Sequence, residues 1–429
     1  MRRWFRLGLV LSGVLVWASV STASAQTFDA ATRTVTVAPS GVDDTLALRT
    51  AFDVCQAVGP GCTVQLTAGT FYTRQHERVG FQGTFAGAGM DATEIRPLTP
   101  LPIRPARVDV ATSWPEPGFG SVLFTFDASD VVVRDLSFFN DDPAPSEPWR
   151  FAGGEIRALA VFLVFQGPQS RVDVQRVGIE SGPGVFFGFS VINGIYLHPG
   201  IDRGADAGLA VRTPFSGTAS LRESRIRGPI AGIAIENVEG ATVVVHGNEI
   251  EAVEAVEIVE VGASVIDVRG NLLVGIGEDP GVVTVTAGRY KTPAGPTTVL
   301  LSDNTIRLAT TRDDVFGVIL RDQSRPATQR VVIERNIFEL DGGAAAIGGL
   351  AEGVVVRDNV IRGRAAFGIR VGTSFAQPWL VLGNDFSAFE AARQALLVTA
   401  SARGAVVVCG AGATFRDEGR GTVAVGCED

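Results

Sequence analysis

Lysine is nearly absent from this chain. Of 37 basic residues only Lys291 is a lysine, so an arginine count reflects composition and does not by itself mark a site. Charge is scarce: 19% of the 429 residues are Asp, Glu, Lys or Arg, against 46% hydrophobic. A chain this apolar is not disordered, and with 51 glycines and few Lys or Glu runs it is not a coiled coil. The 46 acids outnumber the bases, giving a net charge of −9, so no nucleic-acid partner is expected. Histidine is limited to His76, His198 and His246, each isolated. G-x-S-x-G, P-loop and H-E-x-x-H motifs are all missing.

The chain opens with Arg2, Arg3 and Arg6, an apolar run from Leu7 to Val20, then Ala23-Ser24-Ala25. Positive, apolar, then A-x-A is the layout of a secretory signal peptide, and the run is short of the ~20 residues a membrane span needs. Residues 1–25 are therefore expected to be removed, and a secreted or periplasmic protein without a membrane span to result. That removal takes away three arginines and no acid, so −9 becomes −12. Cys55 and Cys62 lie close together, as do Cys409 and Cys427. In an oxidising compartment two local disulfides are the expected pairing, with a metal site as the rival.

A repeat fills the remainder. It reads VVVRDLSF (131–138), VDVQRVGI (172–179), ASLRESRI (219–226), VVVHGNEI (243–250), IDVRGNLL (266–273), VLLSDNTI (299–306), VVIERNIF (331–338) and VVVRDNVI (354–361), with a contracted LVLGNDF (380–386). The marker position holds Leu136, Val177, Ser224, Asn248, Asn271, Asn304, Asn336, Asn359 and Asn384. A floor of 23 residues between markers, with variable excess, predicts a solenoid whose turns carry insertions. Alternating β-branched triplets predict strands, and Gly and Asn predict the corners. Stacked rungs would set the asparagines one above another at ~4.8 Å, where their amides can bond along the column. Before the repeat, Leu48, Phe52 and Cys55 share one helical face after an acidic start at Asp43-Asp44. A short helix there could cap the open end of the coil.

The opening PSGVDDT with TVQLTAGTF, then GTFAGAGMDATEI, then Asn-marked rungs, resembles the pectate lyase superfamily. The resemblance covers essentially the whole chain after residue 25. It implies an all-β fold: a right-handed parallel β-helix of three sheets, one domain over 26–429, with caps over 37–62 and about 403–429. It also implies substrate bound along the outer face of the first sheet. It does not fix an activity, since this fold hosts enzymes, adhesins and inert proteins.

The family's catalytic motifs do not transfer. Asp313-Asp314 offers an acid pair, but no G-H-G or R-I-K follows, and SRPATQR (324–330) is out of register with R-x-P-x-x-R. Strand alternation in the third segment of each rung predicts Glu236, Glu257, Thr286, Arg321 and Arg370 facing outward. Glu236 and Glu257 would stand on adjacent rungs, two residues out of register and roughly 8 Å apart. That separation suits glycoside hydrolysis with inversion. Uronate β-elimination would instead need arginine, or Ca²⁺ held by carboxylates, to neutralise the substrate. The two longest insertions, 140–157 and 192–208, together with the loop 99–121, hold Trp114, Trp149, Arg150, Arg157, Tyr196 and His198. They also hold Asp141, Asp142, Glu155, Asp202 and Arg203. Exposed aromatics with nearby polar groups suit sugar rings. The expectation is a monomer that binds a polysaccharide and cleaves it, by lyase or hydrolase chemistry. The alternative is a non-catalytic adhesive or structural module.

Overall fold

The structure is a computed structural model. It describes residues 26–98, 106–108, 118–140, 159–181, 193–197, 215–228, 231–236, 238–259, 261–276, 280–287, 295–322, 329–372 and 377–427. At 106–108, 118–122, 159–161, 193–197 and 322 only the backbone is described.

Each rung supplies one strand to each of three parallel sheets, here A, B and C. A central rung runs Ala241–His246 (A), Glu249–Ala252 (B) and Glu254–Val259 (C). The next runs Val265–Arg269, Leu272–Gly275 and Gly281–Ala287, pairing in parallel and in register with the first. The alternation read from the sequence decides the faces. In sheet A, Val133, Val174, Leu221, Val245, Val268, Leu301, Ile333, Val356, Val381 and Val407 stack into one fully buried column. Each such side chain contributes about 1.5–3 kcal/mol by leaving water. In sheet C, Ile233, Ile235, Val256, Ile258, Val283, Val285, Val318, Leu320, Ile369 and Val371 point inward, as expected.

The marker column is the hydrogen-bonded ladder that the spacing predicts. From Asn248 to Asn384, each Oδ1 accepts from the marker residue one rung earlier, and every asparagine Nδ2 up to Asn359 donates onward to the next Oδ1 at 2.8–3.0 Å. The other Nδ2 proton reaches back to a strand carbonyl, as from Asn304 to Val268. These asparagines are buried with every side-chain group engaged, so the corner is polar yet satisfied. The residue before each marker has positive φ. Glycine fills that place at Gly247, Gly270 and Gly383, but Asp135, Arg176, Glu223, Asp303, Arg335 and Asp358 fill it elsewhere. Such residues in the left-handed region are uncommon. Several are tied across rungs: Arg176 to Asp135 at 2.6 Å, and Arg335 to Asp303 at 2.9 Å; Arg335 also meets Glu334 beside it in the chain.

The first rungs are closed by the helix Thr45–Val58, which buries Leu48, Ala51, Phe52 and Cys55. Its acids act differently from helix caps. Asp44 makes no cap bond; its carboxylate accepts from the Ser40 and Tyr72 amides, while Asp43 accepts from the Thr45 amide. Beneath the helix the interior is aromatic: Phe52, Phe81, Phe85, Phe124 and Phe126 lie with ring centres 5.1–6.5 Å apart. Both expected disulfides are present, Cys55–Cys62 and Cys409–Cys427.

His76 is not in a loop, as its sequence context implies, but in the strand His76–Val79. It is buried, stacked on Phe124 at 4.7 Å and bonded through Nε2 to Thr73 Oγ1 at 2.6 Å. Burial, and then the charges of Arg78 and Arg49, hold its pKa well below the ordinary imidazole value. His246 is the exposed last residue of its strand, next to Gly270.

Candidate functional face

Sheet register fixes which outward residues of sheet C are neighbours. One column runs Thr125, Val164, Tyr196, Ala234, Glu257, Thr284, Ile319, Gly348 and Arg370. The column two residues further along runs Glu236, Val259, Thr286, Arg321 and Leu350. Glu257 lies opposite Ala234 while Glu236 lies opposite Val259, so the two glutamates are offset by two residues on adjacent strands. Strand geometry then sets their Cα atoms about 8 Å apart. Both are half-buried. Arg321 and Arg370 are two strands apart with the same two-residue offset, about 12 Å between Cα atoms.

Between carboxylates and arginines the face is neither polar nor open. Val259, Thr284, Thr286 and Ile319 point outward by register but are no more than 8% exposed. Thr286 therefore faces out without being accessible. Phe316, Ile319, Ala344 and Ala345 form a small apolar cluster outside the coil, with Phe367 packed against it. Gly348 makes room for it: a Cβ there would lie 2.7 Å from the Phe316 ring.

Arg321 and Arg370 make no ion pair with any described residue. On sheets A and B most strand arginines are matched. Arg222 pairs with Asp173 at 2.8 Å, Arg227 with Glu249 at 2.7 Å, and Arg307 with Glu339 at 2.5 Å; Arg357 pairs with Glu334 at 2.5 Å, and Arg362 also meets Glu339. The carboxyls of Glu334 and Glu339 are held below their ordinary pKa, Glu339 chiefly by its bonds to Arg362 and Arg307 and Glu334 by those to Arg357 and Arg335, which outweigh its burial. Two others without a described carboxylate, Arg171 and Arg330, stand five strands apart on sheet A.

The other expected site residues separate. Asp313 and Asp314 are exposed in the turn before Phe316–Asp322, at the opposite end of that strand from Arg321. Asp314 is gripped by Arg312 through two bonds of 2.8 and 2.7 Å, which lower its pKa. This is turn chemistry, and the pair does not converge with Glu236 and Glu257. Trp114, Trp149, Arg150, Arg157 and His198 lie outside the described residues, as do Asp141, Asp142, Glu155, Asp202 and Arg203. Tyr196 is described in backbone only, at the register position between Val164 and Ala234. Among the described residues, no three His, Cys, Asp or Glu side chains are grouped to hold a metal. The sequence pointed to Arg321 and Arg370 by alternation; what it could not supply was their lack of partners, which depends on residues in other rungs.

No family model matches the chain, and no curated protein matches it in sequence. Solved structures do. The surface adhesin PfbA of Streptococcus pneumoniae superposes with a TM-score of 0.52 at 13% identity, over 89% of this chain and 90% of that one. The mannuronan C-5 epimerase AlgE6 A-module of Azotobacter vinelandii gives 0.40 at 14%, over 90% and 96%. A GH87 α-1,3-glucanase catalytic domain in complex with nigerose gives 0.46 at 13%, over 90% and 66%. Likeness at this identity speaks to fold alone, and with the register above it shows a right-handed parallel β-helix.

Proposed function

We propose that this chain is an exported β-helix protein that binds a polysaccharide along the outer face of sheet C. The carrying observation is that Arg321 and Arg370 have no carboxylate partner among the described residues and stand beyond the half-buried Glu236 and Glu257 on a rigid surface. A cation left unpaired on a face that elsewhere is apolar or covered is available to an anionic or hydroxyl-rich ligand. Export is supported by the two disulfides and by the signal-like residues 1–25.

A second reading, cleavage, is favoured by one observation. Glu236 and Glu257 share one face of adjacent strands with Cα atoms about 8 Å apart, a placement from which two carboxyls could reach the ~6.5–9.5 Å separation of inverting glycosidases, where one protonates the leaving oxygen and the other activates water. The fold does not choose between the readings, because it serves an adhesin, an epimerase and a glucanase. A glycan panel scored for retention, for new reducing ends and for unsaturated products separates them. Binding is expected on at least one acidic or neutral glycan. Reducing ends that disappear in both Glu236→Gln and Glu257→Gln support hydrolysis; binding without products supports the adhesive module. No retention on any glycan contradicts the proposal.

A further inference from the structure

The helix Thr45–Val58 is fastened to the coil differently from the rungs. Successive rungs share parallel backbone ladders, and the first strands pair among themselves without the helix. The helix is held mainly by side chains. Gln56 donates to the Val79 carbonyl at 2.8 Å, Arg49 to the Gln75 carbonyl at 3.4 Å, and Asp53 accepts from Arg78 at 2.6 Å. The Val79 carbonyl points away from the next rung, because the amide of the same peptide, on Gly80, bonds to Asp127 there. The helix therefore covers the outer edge of the first strand of sheet C, His76–Val79.

His76 lies where the helix meets this strand. Its ring is buried, stacked on Phe124 and 6.3 Å from the Phe52 ring of the helix. Nε2 bonds Thr73 Oγ1, which in turn reaches the Thr45 hydroxyl at the helix start at 3.4 Å. Nδ1 is buried with no hydrogen-bond partner. Among the described residues no carboxylate bonds the ring. On the helix Asp53 is engaged by Arg78; at its start Asp43 lies 3.9 Å from Arg74, and Asp44 accepts from the Ser40 and Tyr72 amides. On the histidine's own strand Glu77 is exposed, and Asp127 of the neighbouring strand accepts from Gln166. The charges that act on the ring are those of Arg78 and Arg49, and both repel a second proton.

We propose that this helix is an acid-released cap: a proton on His76 frees it from the first rung and uncovers the edge of His76–Val79, while the disulfide Cys55–Cys62 keeps it tethered. The closed state has no acceptor for a proton on Nδ1, so the proton is taken up in the open state. Below the ordinary imidazole value of 6.5 each fall in pH then favours opening, and above it the cap is fully closed. The helix opens without the coil because side-chain bonds and a small buried face hold it, whereas ladders hold the rungs.

Amide hydrogen exchange on the full chain at pH 7.5 and 5.5, corrected for the intrinsic pH dependence of exchange, tests this. Amides of 48–58 are expected to be at least about a hundredfold less protected than those of the central strand Ala241–His246, the mark of local opening. Their protection falls about tenfold from pH 7.5 to 5.5 in the wild type. It stays level in His76→Phe, which keeps a ring against Phe124. It stays level also in His76→Gln, which keeps a polar group for Thr73 and serves should the first variant disturb folding. Three results overturn the proposal: helix amides as protected as the central strand at both pH values, helix protection that does not change with pH, or a tenfold fall that survives in both variants.

Discussion

Two regions carry arginines on one rigid coil and use them in opposite ways. At the corner between sheets A and B, charge answers charge: Arg176 lies on Asp135 and near Glu223, and Arg335 on Asp303 and Glu334. Beneath them the asparagine ladder leaves no buried amide unmatched. On the outer face of sheet C, Arg321 and Arg370 have no described carboxylate. Composition does not distinguish these arginines; register does. What sets Arg321 and Arg370 apart from Arg171 and Arg330, which also lack a described carboxylate, is that they stand near one another on one face, beside Glu236 and Glu257.

The sharpest way to break the comparison is in the ladder. Asn304 accepts from the Asn271 backbone amide and Nδ2 and donates to Asn336 Oδ1 and the Val268 carbonyl. Asn304→Leu keeps the volume but orphans those buried groups. We expect a loss of about 4 kcal/mol in urea unfolding. The earlier rungs carry the buried Leu136 and Val177 at this position, and there the Val177 amide bonds the Ser224 hydroxyl in place of an asparagine. A loss under 1 kcal/mol would mean that the column is packing alone.

The aromatic end under the helix gives the next effect. His76 stays neutral when folded, so below its ordinary value of 6.5 the unfolded chain takes up a proton that the folded chain does not. Stability is full above about pH 6.5 and falls as pH drops towards the lowered folded value. Urea midpoints at pH 7.5 and 5.5 are expected to differ in the wild type and to converge in His76→Phe.

Smaller still is the corner residue Arg335. Arg335→Gly relieves a positive φ, by about 1 kcal/mol, but removes exposed pairs worth about 0–1 kcal/mol. The two nearly cancel, and the unfolding midpoint should barely move. Chelation tests the alternative cation: if Arg321 and Arg370 neutralise the ligand, glycan binding survives EDTA, whereas calcium-held binding does not.

The sequence made the architecture legible because its signals are local. A β-branched triplet and an asparagine recur at each rung, so the sheets, the inward columns, the ladder and both disulfides follow from spacing. The helix face of Leu48, Phe52 and Cys55 is legible for the same reason. The site was legible only in part. Alternation put Glu236, Glu257, Arg321 and Arg370 outward, but it could not show that Thr286 is buried or that the Phe316 ring, from another strand, fills the space at Gly348. His76 was misplaced because its burial comes from Phe124, 48 residues away in sequence.

The central claim is that the sheet C arginines, which have no carboxylate among the described residues, are for ligand and the paired ones at the corner are for fold. Arg321→Ala/Arg370→Ala and Arg176→Ala/Arg335→Ala test it side by side, with glycan affinity and urea stability measured on both. The account predicts that the sheet C pair loses at least tenfold in affinity with stability within about 0.5 kcal/mol of wild type, while the corner pair keeps its affinity. Equal affinity loss in both, or unchanged binding in the sheet C variant, would contradict it.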